Sequence, residues 1–190
     1  DVLLTVTKPL LRLGQTWLEA AGLSTGQSLV VIHPGSGSAH KCVAPEALAS
    51  VVIAIQTSGA TPVILEGPAD REPVERLLQL CGDPPIVMKG LDLLTVAGVF
   101  AQARLFVGQD SGITHLAGSM GVRTVALFGP TDPARWAPSG AHVTVVQGAP
   151  CFCRSWDEVS QCQEKPCLDV RQDDLVAHCL AHLKEAAVQQ

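Results

Sequence analysis

The chain has 190 residues, of which 47% are hydrophobic and 16% charged, and its formal net charge at pH 7 is −5. This composition excludes an intrinsically disordered protein. The net negative charge gives no indication of nucleic-acid binding, which is typical of basic proteins. The longest apolar run, residues 51–55, is far shorter than the ~20 residues that cross a bilayer, so no transmembrane segment is expected.

Short apolar runs alternate with helical patterns along the chain. Strands are predicted at residues 29–33, 62–66, 85–88, 105–107, 124–128 and 143–146. Helices are predicted at residues 10–21, 45–59, 72–81, 92–103, 111–120 and 173–187. This alternation favours right-handed crossovers and a Rossmann-like α/β fold, with a doubly wound, mostly parallel sheet of about six strands.

The two ends of the chain differ in expected role. Residues 1–28 are predicted to be a helical lead-in, and residues 29–190 the main domain. Helical spacing directs Leu13, Leu93 and Leu94 toward the core. No signal peptide is expected, because Lys8 and Arg12 lie inside an apolar stretch rather than before it. The absence of an initiator methionine favours a fragment of a longer protein. Seven cysteines, an odd number, favour a reducing cytosol over a fully bridged secreted protein.

The first loop, residues 33–41, follows the first predicted strand and is rich in glycine and serine. Ligands of open α/β sheets bind beyond the carboxyl ends of the strands. Ser36, Gly37 and Ser38 offer hydrogen-bond donors and close backbone approach. Lys41 adds a mobile positive charge. The loop matches neither GxGxxG nor the P-loop, so phosphate binding and a merely solvated loop are both open at this point.

The second loop, residues 108–115, follows the fourth predicted strand. Asp110 is predicted to be the N-cap of the next helix, a role that needs no ligand. Ser111 and Gly112 would then direct first-turn N–H groups toward an anion. His115 lies one turn further on the same face as Ser111, which favours a ligand role for it. A Ser-His-Asp triad is disfavoured, because side chains on one helical turn cannot face one another in triad order.

The third loop, residues 128–138, contains three prolines and one glycine, so a stiff conformation is predicted. In a rigid surface loop, Trp136 would be the hydrophobic plug. A ligand-binding loop and a rigid surface loop both fit this pattern.

Four thiols lie close together in the predicted loop 151–167: Cys151, Cys153, Cys162 and Cys167. A thiolate tetrad can hold structural zinc, but neither pair has the Cys-x2-Cys spacing typical of zinc sites. Zinc, disulfides, and free or buried thiols therefore stand as three alternatives.

Taken together, the three loops resemble the family 9 glycosyltransferases, which are the ADP-heptose:lipopolysaccharide heptosyltransferases and their relatives. The motifs that carry the resemblance are Asp110-Ser111-Gly112 with His115-Leu116-Ala117, then Phe128-Gly129-Pro130-Thr131-Asp132-Pro133, and upstream residues 33–38 with Lys41. The resemblance runs from residue 29 to the C-terminus. It implies the C-terminal, donor-binding half of a GT-B enzyme, with residues 1–28 leading in from an N-terminal acceptor domain.

The resemblance also implies residue roles. The positions matched to diphosphate binding are Ser36, Gly37, Ser38, Lys41, Ser111, Gly112 and His115. Asp110 matches an aspartate at the donor sugar. Lys41, Asp110 and His115 are the implied catalytic residues of this half.

Two further contacts concern the nucleoside. Asp70 is the nearest match to the acidic residue that holds the ribose in relatives, with Glu66 and Glu72 as alternatives. The stretch around Leu91 matches the adenine contact. One departure stands out: relatives commonly have Trp shortly after the lysine, where this chain has Cys42-Val43-Ala44.

The implied reaction is inverting transfer of a sugar from a nucleotide-diphosphate donor, expected to be ADP-heptose, to the lipopolysaccharide inner core or a related lipid-linked glycan. The general base is expected in the N-terminal half, so this chain alone should turn over poorly. No divalent metal or other cofactor is expected at the donor. The expected location is cytoplasmic, at the inner face of the bacterial inner membrane. A nucleotide-sugar epimerase of GT-B architecture and a non-catalytic nucleotide-binding module are the alternative functions.

Overall fold

A computed structural model describes residues 4–24 and 26–188; the other positions of the predicted lead-in (1–3 and 25) and of the main domain (189–190) lie outside the described residues. The described part forms one six-stranded sheet in the order β3-β2-β1-β4-β5-β6, and every neighbouring pair is parallel. The strands are β1 (Leu29–His33), β2 (Thr61–Glu66), β3 (Ile86–Lys89), β4 (Leu105–Gln109), β5 (Thr124–Phe128) and β6 (Val143–Gln147).

Helices cover both faces of this sheet. They are α1 (Lys8–Ala20), α2 (Pro45–Thr57), α3 (Arg71–Leu80), α4 (Leu93–Phe100), α5 (Gly112–Ser119), α6 (Pro133–Trp136), α7 (Trp156–Gln161) and α8 (Gln172–Val188), with 3-10 turns at Ala39–Lys41 and Pro166–Leu168. One core cluster joins the sheet to α2, α3 and α8, and the other joins it to α1, α4 and α5. The predicted doubly wound, parallel α/β fold is confirmed.

The central strands are buried because helices cover them on both sides. All five residues of β1, β4 and β5 are buried. Continuous apolar runs, rather than alternating ones, are typical of such strands. The sequence pattern therefore located these strands well, and β1 and β5 have the predicted bounds.

Helix α1 packs directly on α4 through two glycines. A Cβ atom on Gly14 would lie 2.1 Å from the carbonyl carbon of Gly98, and one on Gly98 would lie 2.4 Å from the Leu10 carbonyl oxygen. Only glycine permits this backbone approach. Leu18 of α1 and Leu23 after it are buried in the same core cluster, so the predicted lead-in is packed as part of the domain.

Four expected burials are wrong. The exposed fractions of Leu13, Leu93 and Leu94 are 43%, 58% and 64%. Helix α1 turns Gly14 and Leu18 inward instead, and the first turn of α4 lies at the rim of a cavity that Leu93 lines. Trp136 is 51% exposed and stacks against the Arg135 guanidinium rather than plugging the third loop.

Candidate functional site

The strand order reverses between β1 and β4, which places a crevice at their carboxyl ends. Ligands of doubly wound sheets bind at this switch point. His33 ends β1 and is paired in register with Gly108 of β4. The first and second loops therefore start side by side, and the third loop leaves the adjacent strand β5.

A cavity of about 930 Å³ opens along this edge. Five of the residues predicted for the donor site line it: Ser36, Gly37, Asp70, Leu91 and Ser111. The five other predicted residues lie outside that lining: Ser38, Lys41, Asp110, Gly112 and His115. A volume of this size is in the usual range for small-molecule pockets, roughly 300–1,000 Å³.

Asp110 joins the three loops. Its Oδ2 lies 2.8 Å from Lys41 Nζ and accepts a hydrogen bond of 2.7 Å from the Thr131 hydroxyl. Its backbone carbonyl accepts a 2.7 Å bond from Ser36 Oγ. The predicted N-cap role is wrong, because Ser111 is the N-cap of α5 and the Asp110 carboxylate faces Lys41 instead. The three loops thus converge as the motifs indicate.

Lys41 is the cation of this cluster. Its side chain is partly buried, and its Nζ lies 5.9 Å from the centre of the Trp156 ring, on helix α7. Trp156 and Thr131 were both missed as site residues in the sequence. Thr131 could have been found from its place in the third-loop motif, whereas Trp156 is 115 positions from Lys41 and carries no local signal.

A buried His–Asp pair lies beneath the first loop. His33 Nε2 is 2.8 Å from Asp70 Oδ2, and both residues are less than a tenth exposed. Asp70 Oδ2 also accepts from the Gly67 N–H at 2.9 Å. The hydrogen bond from His33 holds the pKa of Asp70 below its ordinary value. A Cβ on Gly35 would lie 1.9 Å from Asp70 Oδ1, so this close approach requires glycine there.

Ser111 and the first turn of α5 face the same cavity. Ser111 is the N-cap, yet its side chain accepts no hydrogen bond from the helix. Its Oγ is 3.5 Å from His33 Nδ1 and 3.2 Å from Thr114 Oγ1. Gly112 is exposed, and His115 in the next turn is half-buried.

The two alternative acidic residues separate clearly in space. Glu66, at the end of β2, is half-buried and lines the 930 Å³ cavity together with Asp70. Glu72 lines a different cavity of about 210 Å³ and is ion-paired with Arg76 at 2.7 Å.

Four cysteines share a second cavity, of about 330 Å³: Cys151, Cys153, Cys162 and Cys167. Loss of solvation, then the neighbouring Cys151 thiol, raises the pKa of Cys153 to about 11. The pKa of Cys167 is likewise raised to about 11, by burial and then by Cys151. All four are free thiols. Among residues 4–24 and 26–188, no group of three or more His, Cys, Asp or Glu side chains is placed so that it could hold a metal ion.

Within the part of the chain that the structure describes, no helix is both long enough and apolar enough to cross a membrane. The sheet order and the loops around the switch point define a Rossmann-like domain with a ligand crevice at the strand ends. The chain belongs to glycosyltransferase family 9 (heptosyltransferase), whose family model matches residues 8–167. The family identified from the loop motifs is confirmed.

The chain is similar to curated proteins and to solved structures of the same family. Lipopolysaccharide heptosyltransferase 3 of Escherichia coli is 30% identical over 125 residues, which make up 64% of this chain and 36% of that protein. The crystal structure of a family 9 glycosyl transferase from Veillonella parvula DSM 2008 has a TM-score of 0.85 at 24% identity, covering 96% of this chain and 54% of that one. For ADP-heptose lps heptosyltransferase II of E. coli, the TM-score is 0.80 at 18% identity, over 97% of this chain and 54% of that one.

The chain matches only part of the length of each of these proteins. The chain spans about a third of the length of the curated lipopolysaccharide heptosyltransferase 3 it matches, and about half of the matched structures. The prediction that the domain is one half of a GT-B glycosyltransferase is confirmed at the level of the fold.

Proposed function

We propose that this domain binds the nucleoside diphosphate of a sugar donor in the switch-point crevice. The observation that carries the proposal is the convergence of three loops on Asp110, which brings Lys41, Ser36 and Thr131 to one place beside the cavity. A cation and free helix N–H groups at this edge are suited to a diphosphate. The family supports glycosyl transfer over the epimerase and non-catalytic alternatives.

The diphosphate contacts fall on two of the loops. Ser36 and Gly37 of the first loop and Ser111 and Ile113 at the start of α5 line the cavity, and their backbone N–H groups are the proposed diphosphate contacts. The Ser38 hydroxyl accepts from the His40 N–H and caps the 3-10 turn that positions Lys41. Lys41 exchanges its contact with Asp110 for a phosphate oxygen, and Asp110 then becomes available to the donor sugar. The His115 side chain, in the second turn of α5, adds a hydrogen bond to the diphosphate.

The nucleoside occupies the part of the cavity near β2 and β3. Leu91 lines that end and supplies an apolar contact for adenine. Glu66 is the acceptor for the ribose hydroxyls, because Glu66 lines the cavity while Asp70 Oδ2 is already bound to His33 and Gly67. Glu72 faces the other cavity and takes no part.

The reaction follows from this placement. The acceptor hydroxyl oxygen attacks the anomeric carbon, the bond from that carbon to the diphosphate oxygen breaks, and the acceptor proton passes to a base in the acceptor domain. Charge that gathers on the departing diphosphate is stabilised by Lys41 and by helix N–H groups, so no metal or other cofactor is required there.

The family relatives suggest the substrates and the location. ADP-heptose is the proposed donor, since matched proteins are heptosyltransferases and one structure is of an ADP-heptose enzyme. A lipopolysaccharide inner-core glycan, or a related lipid-linked glycan, is the proposed acceptor. Such an acceptor implies a cytoplasmic protein working at the inner face of the bacterial inner membrane.

Calorimetric titration with ADP, UDP and GDP in buffer containing EDTA tests the proposal. We expect ADP to bind without magnesium and the other two nucleotides to bind more weakly. Lys41→Ala should weaken ADP binding about 10- to 150-fold, the range for a charged hydrogen bond, and leave adenosine binding nearly unchanged. Lys184→Ala, at an exposed position on α8, is the control. Absence of ADP binding, or binding that needs magnesium, would overturn the proposal.

A further inference from the structure

The N-cap of helix α5 is unusual in what its side chain does. A serine at this position ordinarily accepts a hydrogen bond from the N–H of the second or third helical residue. Ser111 has extended backbone angles suited to an N-cap, but its hydroxyl makes no such bond. The backbone carbonyl of Ser111 accepts from Thr114 and His115, so the helix itself is regularly formed.

The Ser111 hydroxyl has two side-chain acceptors instead, one in the first turn of α5 and one outside the helix. Thr114 Oγ1 donates its own hydrogen to the Gln109 carbonyl, so it can only accept from Ser111. The second acceptor is His33 Nδ1, at the long end of hydrogen-bonding distance. The N–H groups of Gly112 and Ile113 have no acceptor within the helix, as is general for a first turn. Ile113 also lines the cavity.

The tautomer of His33 follows from its other contact. An ionised carboxylate only accepts hydrogen bonds, so the 2.8 Å contact with Asp70 places the proton on Nε2. In a neutral imidazole, Nδ1 is then the acceptor that faces Ser111. Asp70 is itself fixed by the Gly67 N–H, so the order Gly67, Asp70, His33, Ser111 forms one chain of hydrogen-bonding groups.

We infer that His33 is a positioning residue for donor binding: together with Thr114 it keeps the Ser111 hydroxyl off the backbone N–H groups of helix α5, so that the Ile113 N–H stays open to the diphosphate. The inference rests on the proposed function. It also gives Asp70 a role through His33 rather than on the ribose. Without Nδ1, Thr114 alone holds the serine hydroxyl, which can then turn and accept from the Ile113 N–H in competition with the phosphate.

Two substitutions at His33 separate its contacts. In His33→Gln the amide N–H reaches the place of Nε2 and keeps the bond to Asp70, but the acceptor toward Ser111 is lost. In His33→Asn the amide occupies the place of Nδ1 and the bond to Asp70 is lost. His33→Gln should weaken ADP binding roughly 3- to 30-fold, the equivalent of one capping bond, and leave adenosine binding unchanged. His33→Asn should lower the melting temperature yet keep ADP affinity within about twofold of the wild type.

The decisive measurement is calorimetry of ADP on a double-mutant cycle with Ser111→Ala. Ser111→Ala sets the reference affinity, and adding His33→Gln to it should cause no further loss, because no hydroxyl remains to cap the helix. Additive losses, or equal losses for ADP and adenosine, would overturn the inference while the proposed function stands. Should His33→Gln not fold, a loss of ADP affinity above tenfold in His33→Asn would overturn the inference. Failure of the wild-type chain to bind ADP would instead reject the proposed function.

Discussion

At the scale of single residues, Asp110 shows how tertiary partners override a local preference. An aspartate before a helix is a favoured N-cap. Here the Asp110 carboxylate is ion-paired with the partly buried Lys41 of the first loop and accepts a hydrogen bond from Thr131 of the third loop. Charge-assisted bonds of this kind are about twice as strong as neutral ones, and Ser111 can occupy the cap position in its place.

Glu66, at the nucleoside end of the cavity, gives a residue-scale prediction. Glu66→Gln should weaken adenosine and ADP binding equally, by about 10-fold, because a carboxylate that accepts from ribose hydroxyls forms charged hydrogen bonds of roughly 1.5–3 kcal/mol and an amide retains only part of this. Calorimetric titration with both ligands measures the effect.

Glu72→Gln is the matched control, since Glu72 lies six positions further along the chain and outside this cavity. It should leave both affinities unchanged. If Asp70 held the ribose directly, Glu66→Gln would have no effect on adenosine, and that result would contradict the assignment of Glu66.

At the scale of elements, the contact between α1 and α4 is set by backbone proximity rather than by large side chains. Gly14→Ala should lower the free energy of unfolding by about 1–3 kcal/mol, the usual cost of overpacking, because its new methyl group meets the Gly98 backbone and the helices must separate. Urea unfolding followed by circular dichroism measures this change.

Gly82→Ala provides the comparison for that experiment. A Cβ on Gly82 meets nothing within 4 Å, and its φ is not in the left-handed region. Its free energy of unfolding should stay within about 0.5 kcal/mol of the wild type. Equal destabilisation by the two alanines would mean that helix packing is not the cause.

The segment 151–167 allows a second prediction at this scale. A pKa of about 11 leaves Cys153 and Cys167 protonated at pH 8. Since the thiolate is the nucleophile, both should react with iodoacetamide roughly 100-fold more slowly than a peptide thiol of ordinary pKa, and the rate should rise as the pH approaches 11.

Peptide mapping by mass spectrometry between pH 7 and 10 follows each cysteine separately. Addition of EDTA should leave both rates unchanged if the thiols are free. Acceleration by the chelator, together with release of zinc, would show instead that the four-cysteine cavity holds a metal.

At the scale of the whole molecule, the sequence was sufficient to predict the fold. Six strands, the parallel order and the gathering of three loops follow from apolar runs, helical periodicity and the general rule that ligand loops leave the carboxyl ends of strands. Local sequence patterns are sufficient to predict the strands and helices, because the apolar residues that bury each element lie within that element. The family motifs then lay in the loops that the fold brings together.

What the sequence did not predict depends on contacts between distant positions. The pairing of His33 with Asp70 spans 37 residues, and the contact of Ser111 with His33 spans 78. The exposure of Leu93 reflects its place in the cavity lining, which periodicity alone does not define. The short helices α6 and α7 lie within segments that read as loops, because each is too short to show a helical period.

Stability against pH is a whole-molecule property to which the His33–Asp70 pair contributes. The pKa of Asp70 is lower in the folded protein than its ordinary value of about 3.9, chiefly through the bond to His33. The contribution is therefore complete above about pH 4 and is lost as the pH falls through the lowered pKa of the folded state. Between pH 4 and pH 2, the free energy of unfolding should fall more steeply for the wild type than for Asp70→Asn, which has no carboxyl to protonate at this position. Urea unfolding at several pH values, with Glu72→Gln as the surface control, tests this; parallel curves for wild type and Asp70→Asn would show that the pair does not stabilise the folded state through the charge of Asp70.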